Sequence, residues 1–366
     1  MRVAIVHDWL VVNGGAEKVL REILEVFPNA DIFSLVDFLT LKDRRDILKG
    51  KSTTTTFIQK FPFAKKAFRN YLPLFPKAIE SLDLRGYDLI ISSSWAVAKG
   101  AKRDKNQTHI CYCHTPIRYA WDLYDEYTNN LREPKKFLVK KTLQYIRKWD
   151  INSLDRVDYF IANSNFVKMR IKRLYNRDSI VINPPVDIEK FRLYEKKEDF
   201  YFTASRLVPY KKIKLIVEAF NKMPNRKLIV AGAGEELNII REIANSNIKV
   251  LGFIDDEVLV YYMQRAKGFI FGALEDFGII PIEAMACGTP VIAFSKGGIR
   301  DSLIEGVNGI FCKEQRKDDI INCINRFETL KFDPKIVFQS VKKFSKDRFR
   351  SEFQSFVERN LFEKER

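Results

Sequence analysis

The chain has 366 residues, 46% of them hydrophobic, and a formal net charge of +16 with a pI near 9.5. That length and apolar content predict two domains, each with its own core. No stretch approaches the roughly 18 apolar residues of a membrane-spanning helix, which excludes one. So basic a balance calls for an anionic partner: nucleic acid, an anionic membrane surface or an acidic substrate.

The first residues, Met1-Arg2-Val3-Ala4-Ile5-Val6, are too short an apolar run for a secretory signal and lead straight into polar motif residues. The five cysteines (Cys111, Cys113, Cys287, Cys312, Cys323) are scattered. They read as reduced thiols of a cytoplasmic protein. Cys111-Tyr112-Cys113 has the wrong spacing for a zinc ribbon or a redox pair, so no metal site is expected there.

Residues 3–7 form a short buried strand, Asn13-Gly14-Gly15 a turn, and 16–26 a helix. Glycines here let a ligand approach the backbone, and a helix start favours anions. Gly-Gly is also a common tight turn. Residues 60–77 interleave Lys60, Lys65, Lys66, Arg69 and Lys77 with Phe, Tyr and Leu. Basic groups beside aromatics suit the headgroup boundary of a bilayer. The plainer alternative is a helix pair with its phenylalanines in the core and its lysines solvated. Residues 31–35, 89–92, 108–113, 159–162 and 180–183 are further short strands. The alternation of strands with helices predicts a parallel sheet covered on both faces.

His114 follows the strand at 108–113 directly, in the run Cys111-Tyr112-Cys113-His114-Thr115-Pro116-Ile117-Arg118-Tyr119-Ala120-Trp121-Asp122. Ligand crevices form at such strand ends. A lone histidine there can equally be a structural hydrogen-bonder. Asn183-Pro184-Pro185-Val186-Asp187 continues neither a helix nor a central strand, and the polar run 189–199 reads as a linker. A second α/β series follows, with strands at 201–204, 227–231, 248–251, 268–271 and 290–293. Together the two series predict doubly wound Rossmann-like domains.

Ser205-Arg206-Leu207-Val208-Pro209-Tyr210-Lys211-Lys212 follows the first strand of this series. Arg206 and Lys211 form a cation pair able to neutralise a diphosphate, with Lys212 in place of Lys211 if the loop register differs by one; in a chain this basic, two cations by themselves read as ordinary surface charge. Gly232 and Gly234 follow the next strand, and Gly252-Phe253-Ile254 the one after. The most informative stretch is Glu275-Asp276-Phe277-Gly278-Ile279-Ile280-Pro281-Ile282-Glu283. Glu275 is placed on a loop and Glu283 on the first turns of a helix. One carboxylate can then face a sugar while the other meets ribose hydroxyls, with helix N–H donors close by for phosphate. Gly297-Gly298 closes a further turn. The alternative for the two glutamates is solvated surface charge.

These motifs resemble the retaining glycosyltransferases of family 4, whose fold is GT-B: two Rossmann-like domains facing a central cleft. Glu275 and Glu283 stand at the ends of that family's E-x7-E signature. His7-Asp8-Trp9-Leu10 with Gly14-Gly15-Ala16-Glu17-Lys18-Val19-Leu20 is similar to the opening of bacterial O-antigen-type mannosyltransferases that use GDP-mannose. The resemblance covers nearly the whole chain. It implies an acceptor domain at 1–187, a nucleotide-sugar domain at 188–343, and a C-terminal helix at 344–366 that returns to the first. It also implies His114 against the donor sugar, Arg206 and Lys211 on the diphosphate, and Glu275 by the sugar hydroxyls. Donor contacts would come from Gly14, Gly15, Gly232, Gly234, Ile254, Phe277, Gly278, Ile279 and Glu283. Arg118, Tyr119, Trp121 and Asp122 would meet the acceptor.

The implied reaction moves a hexose to a lipid-linked saccharide, as in lipopolysaccharide synthesis, at the inner face of the cytoplasmic membrane. It keeps the anomeric configuration and needs no metal; the chain has no Asp-x-Asp to anchor one. The chain departs from the pattern after Gly298, where Asp301 stands in for a glutamate. The alternatives are a UDP-sugar enzyme of the same fold with a soluble acceptor, and a basic nucleic-acid-binding α/β protein. No nucleic-acid motif supports the latter, so no nucleic-acid partner is expected. Oligomeric state is left open.

Overall fold

A computed structural model describes residues 1–129 and 131–362. Short apolar runs make two all-parallel sheets. The first holds β1 (Val3–His7), β2 (Asp31–Ser34), β3 (Thr53–Thr55), β4 (Leu89–Ser94), β5 (Thr108–Cys113), β6 (Tyr159–Ala162) and β7 (Ser179–Val181). Their order is β3-β2-β1-β4-β5-β6-β7. The second holds β8 (Glu198–Ala204), β9 (Leu228–Ala231), β10 (Ile248–Gly252), β11 (Ala266–Phe271), β12 (Val291–Phe294) and β13 (Gly309–Cys312), in the order β10-β9-β8-β11-β12-β13. β1, β4 and β5 are buried along their whole length. Strands buried this fully need cover on both faces. In each sheet the strand order reverses once, between β1 and β4 and between β8 and β11.

The chain divides into two units, residues 1–185 with the segment from Phe349 onward, and Val186–Arg348. In the first unit the sheet is flanked by α1 (Gly15–Val26), α2 (Lys135–Asn152) and α3 (Asn165–Tyr175). In the second it is flanked by α4 (Ile213–Asn221) and α5 (Ile279–Ala286). The last helix, α6 (Lys346–Phe362), carries Phe349, Phe353 and Val357 into the first unit's core. There the Phe349 and Phe353 rings lie 5.8 and 6.4 Å from that of Tyr112 on β5. Arg350 also reaches Glu22 of α1 at 2.5 Å.

Three local readings of the sequence need correction. Strands β3 and β13 were not expected; both are sheet edges. β3 is all threonine and carries no apolar run, and the apolar part of β13 is only Ile310-Phe311-Cys312. The run 60–77 is no helix pair: it breaks into the short turns Phe57–Lys60, Ala64–Ala67, Phe68–Leu74 and Phe75–Glu80. Pro62, Pro73 and Pro76 remove amide donors and interrupt longer helix. Finally, the sequence alone reads as helical only over 282–286, whereas the helix α5 begins at Ile279. The linker before β8 is pinned by Lys197, whose buried ammonium donates to the carbonyls of Gln264 and Cys287 and to Thr289 Oγ1. Burial lowers its pKa to about 8.

Candidate functional site

In open parallel sheets, ligands bind beyond the strand C-termini where the order reverses. In the second unit that point lies between β8 and β11. The loop after β8 carries Ser205–Lys212 and the loop after β11 carries Gly272–Gly278. Lys211 Nζ and Glu275 Oε1 form an ion pair across them, both side chains mostly buried. Lys211, not Lys212, makes this contact. Lys212 turns the chain in a left-handed conformation (φ 60°) and heads α4. Arg206 Nη2 donates to Tyr210 Oη at 2.7 Å, on the exposed side of the same loop.

The neighbouring glycines pack these loops backbone to backbone. Leu207 N donates to Ala233 O at 2.9 Å, and Gly232 N to Gly252 O at 2.8 Å. A Cβ on Gly232 would lie 1.8 Å from Ser205 O, so only glycine fits. Likewise Gly298 N donates to Glu275 O at 2.9 Å, and a Cβ on Gly298 would meet Asp276 O at 2.2 Å. Asp301 ends the short turn Gly298–Asp301. Ile254 is partly buried and packs on the second core, leaving its neighbour Phe253 exposed.

Gly278 caps α5 from a left-handed conformation (φ 91°). The first amides of a helix have no partner within it, and Pro281 at the third position has no amide. Gly278, Ile279 and Ile280 therefore present the N–H groups of this helix start to an anion. Phe277 is buried and stacks edge-on against Phe344 at 5.7 Å, which holds the loop ahead of the cap. Glu283 sits one turn in, with its side chain buried.

In the first unit the reversal lies between β1 and β4. His7 ends β1 in register with Ser93 of β4. Ser93 Oγ lies 3.0 Å from His7 Nδ1 and 2.8 Å from His114 Nε2. On the other side of His7, Nε2 faces Glu17 Oε1 at 3.7 Å. Glu17 Oε2 in turn accepts the Gly14 N–H at 3.0 Å, and α1 starts at Gly15. Burial, with His7 nearby, lowers the His114 pKa to about 3, so the ring is neutral.

The loop after His114 is held by the protein itself. Asn163 Nδ2 donates to His114 O at 2.8 Å. Trp121 Nε1 donates to buried Asp150 at 2.8 Å, and Asp122 pairs with Arg170 and with Arg173. Arg118 and Tyr119 lie partly buried against this loop. Trp121 and Asp122 thus have structural partners in the resting protein besides any part in acceptor contact.

Sequence reasoning named Lys211, Glu275, Gly278, Ile279 and Glu283, which the structure brings to the switch point of the second sheet, and His114 and Gly14, which it brings to that of the first. It missed Ser93 as the link between the histidines, because a serine in an apolar strand carries no motif. It also missed the role of Asp8, which is buried and accepts the amides of Trp95, Ala96, Val97 and Ala98 at 2.5 to 2.7 Å. Among the described residues no cluster of His, Cys, Asp and Glu has the makings of a metal site.

Two family descriptions match this chain, "Glycosyltransferase Family 4" over residues 13–190 and "Glycosyl transferases group 1" over residues 186–344. An uncharacterized glycosyltransferase of Methanocaldococcus jannaschii, MJ1607, is 29% identical over 138 residues, 35% of each chain. Two others from that organism match over 58% and 60% of their lengths, so the chain spans about a third to three fifths of these curated relatives. Among solved structures, Anabaena Alr3699/HepE in complex with UDP and glucose superposes with a TM-score of 0.71 at 18% identity, covering 97% of this chain and 99% of that one. The lipopolysaccharide outer core galactosyltransferase WaaB superposes at 0.69 and 18%, covering 98% and 100%. The chain is thus a GT-B protein of two Rossmann-like domains, glycosyltransferase group 1- and family 4-like along residues 13–344.

Proposed function

We propose that the protein transfers a hexose from a nucleotide sugar to a saccharide acceptor with retention of configuration. The observation that carries this reading is the Lys211–Glu275 pair beside the Gly278-capped start of α5, at the switch point of the second sheet. A diphosphate arriving there competes with Glu275 for Lys211. Lys211, Arg206 and the free amides of α5 then carry the charge that develops as the bond from anomeric carbon to diphosphate oxygen breaks. Glu275, released, accepts from sugar hydroxyls, and Glu283 from the ribose. In the first unit, His114 and its loop contact sugar hydroxyls, with Arg118, Tyr119, Trp121 and Asp122 toward the acceptor.

The opening motif favours GDP-mannose as donor and a lipid-linked acceptor in lipopolysaccharide-type synthesis. A UDP-hexose is the second reading, since HepE, of the same fold, binds UDP and glucose. The reading needs no metal, since Lys211, Arg206 and the α5 amides carry the charge of the diphosphate. It places the protein in the cytoplasm, peripheral at the inner face of the cytoplasmic membrane. No described helix is long and apolar enough to cross a bilayer, and exposed Phe63, Phe137 and Leu138 stand among lysines on the first unit.

The deciding experiment is thermal unfolding with GDP, UDP, ADP, GDP-mannose, UDP-glucose and UDP-N-acetylglucosamine. A ligand of the folded state raises the midpoint by mass action. A shift with GDP and GDP-mannose alone supports the mannosyl reading. A shift with the UDP species alone replaces it with the second. No shift with any of them defeats both.

A further inference from the structure

The chain has only three histidines, and two of them share Ser93. Ser93 is fully buried, and so is His7; Glu17 is nearly so. A hydroxyl has one proton, so Ser93 donates to one imidazole and accepts from the other. The direction is set at the far end. His7 Nε2 has no hydrogen-bond partner and points at Glu17 Oε1 from 3.7 Å. A lone pair there would oppose the carboxylate charge, whereas an N–H is attracted to it. A neutral His7 therefore carries its proton on Nε2 and leaves Nδ1 bare. Ser93 then donates to His7 Nδ1 and accepts from His114 Nε2–H.

We propose that Glu17, His7 and Ser93 form a proton-ordered chain that fixes the His114 proton on Nε2 and leaves Nδ1 as the acceptor for a sugar hydroxyl. The chain crosses the switch point of the first sheet, from the Gly14 loop through β1 and β4 to the end of β5. Trp95 supports it, its ring meeting both histidines edge-on at 4.9 and 5.7 Å. Glu17, His7 and Ser93 are positioning residues: they act through His114. This rests on the reading of His114 as a sugar contact, though the proton order itself does not.

Nitrogen-15 spectra of the resting protein test the order directly, with His109 as an internal reference. His109 Nδ1 lies 2.8 Å from the Arg156 carbonyl, which only accepts, so it carries its proton on Nδ1. His7 and His114 should appear as the opposite tautomer. Glu17→Gln keeps the shape and drops the charge, and should spread both histidines over the two forms. Ser93→Ala should lower kcat/KM about fivefold to tenfold, the scale of one oriented hydrogen bond. Ser93→Thr should recover it. Ser93→Ala should cost nothing further in a His114→Ala background. A merely structural Ser93 would act equally in both backgrounds. A His114 proton on Nδ1 in the wild type, spectra unchanged by Glu17→Gln, or additive kinetics overturns the proposal. If no nucleotide sugar supports transfer, the sugar-contact reading falls, and the spectra still decide the proton order.

Discussion

Lys211 and Glu275 neutralise each other in the resting protein, and this separates the effects of substituting them. The pair is mostly buried, so removing one member leaves the other uncompensated and should cost stability about 3 kcal/mol. The loss from the reaction is separate and shows in kcat. Lys211→Ala is expected to lower kcat at least about 100-fold, the usual effect of removing one preorganised charge donor. Glu275→Ala should do likewise while staying folded. Steady-state kinetics beside urea unfolding check both, and near-wild-type turnover in either variant rejects the site. His109 gives a pH prediction of its own. Burial lowers its pKa to about 4, below the ordinary 6.5 of an unfolded chain. Between those values the unfolded state takes up a proton that the folded state refuses. Stability held above pH 6.5 is therefore lost as the pH falls toward 4, by roughly 3 kcal/mol in all. Urea unfolding at pH 7, 5.5 and 4.5 should show this slope, and His109→Gln should flatten it. An equal slope in the variant would assign the loss to carboxylates instead.

At the scale of elements, α6 completes a core that its own unit cannot otherwise close. Phe349 and Phe353 are fully buried against Tyr112, and Phe353 also meets Phe27 of the loop after α1 at 6.4 Å. Phe353→Ala should destabilise by about 3–5 kcal/mol, the cost of an unfilled aromatic site. A chain ending at Arg348 should fail to fold its first unit. Urea unfolding of the point variant checks the first, and a wild-type midpoint would mean that α6 contributes no core. The central strands were readable because burial on both faces leaves three or four apolar residues in a row. β3 (Thr53-Thr54-Thr55) was not, since its neighbour β2 and not any apolar run of its own makes it a strand. The glycine loops were readable as turns. What made them glycine, the backbone oxygens of Ser205 and Asp276 pressed against them, belongs to the fold and not to the local sequence. The Glu275–Glu283 spacing could be read from the sequence as a candidate site, while the Ser93 bridge appeared only once β1 and β4 were side by side.

For the whole molecule, the net charge of +16 has to be reconciled with what the structure does with the aromatic run at 60–77. Two of its phenylalanines are core: Phe68 and Phe75 are buried, with ring centroids 6.2 Å apart. Arg69 lies over the rings of Trp9 and Phe68, so reversing its charge would disturb packing as well as any docking. Lys65 and Lys66 are exposed, next to Phe63 at 81% exposure. Phe137 and Leu138 of α2 are exposed as well, near Lys135 and Lys141, and α2 packs against the turn Phe68–Leu74. If this face meets an anionic bilayer, the wild type should sediment with vesicles containing phosphatidylglycerol. It should bind less as salt screens the charges, and should ignore vesicles of phosphatidylcholine alone. Each lysine near such a surface contributes about 1 kcal/mol. The double variant Lys65→Glu, Lys66→Glu should therefore bind at least about 30-fold more weakly, with unchanged thermal stability because neither side chain packs. Phe63→Ser should weaken binding in a way that salt does not alter, since insertion of a ring is not electrostatic. Equal sedimentation of all three proteins would remove this face from the membrane, and the excess charge would then have to be assigned to the anionic substrate or to another surface.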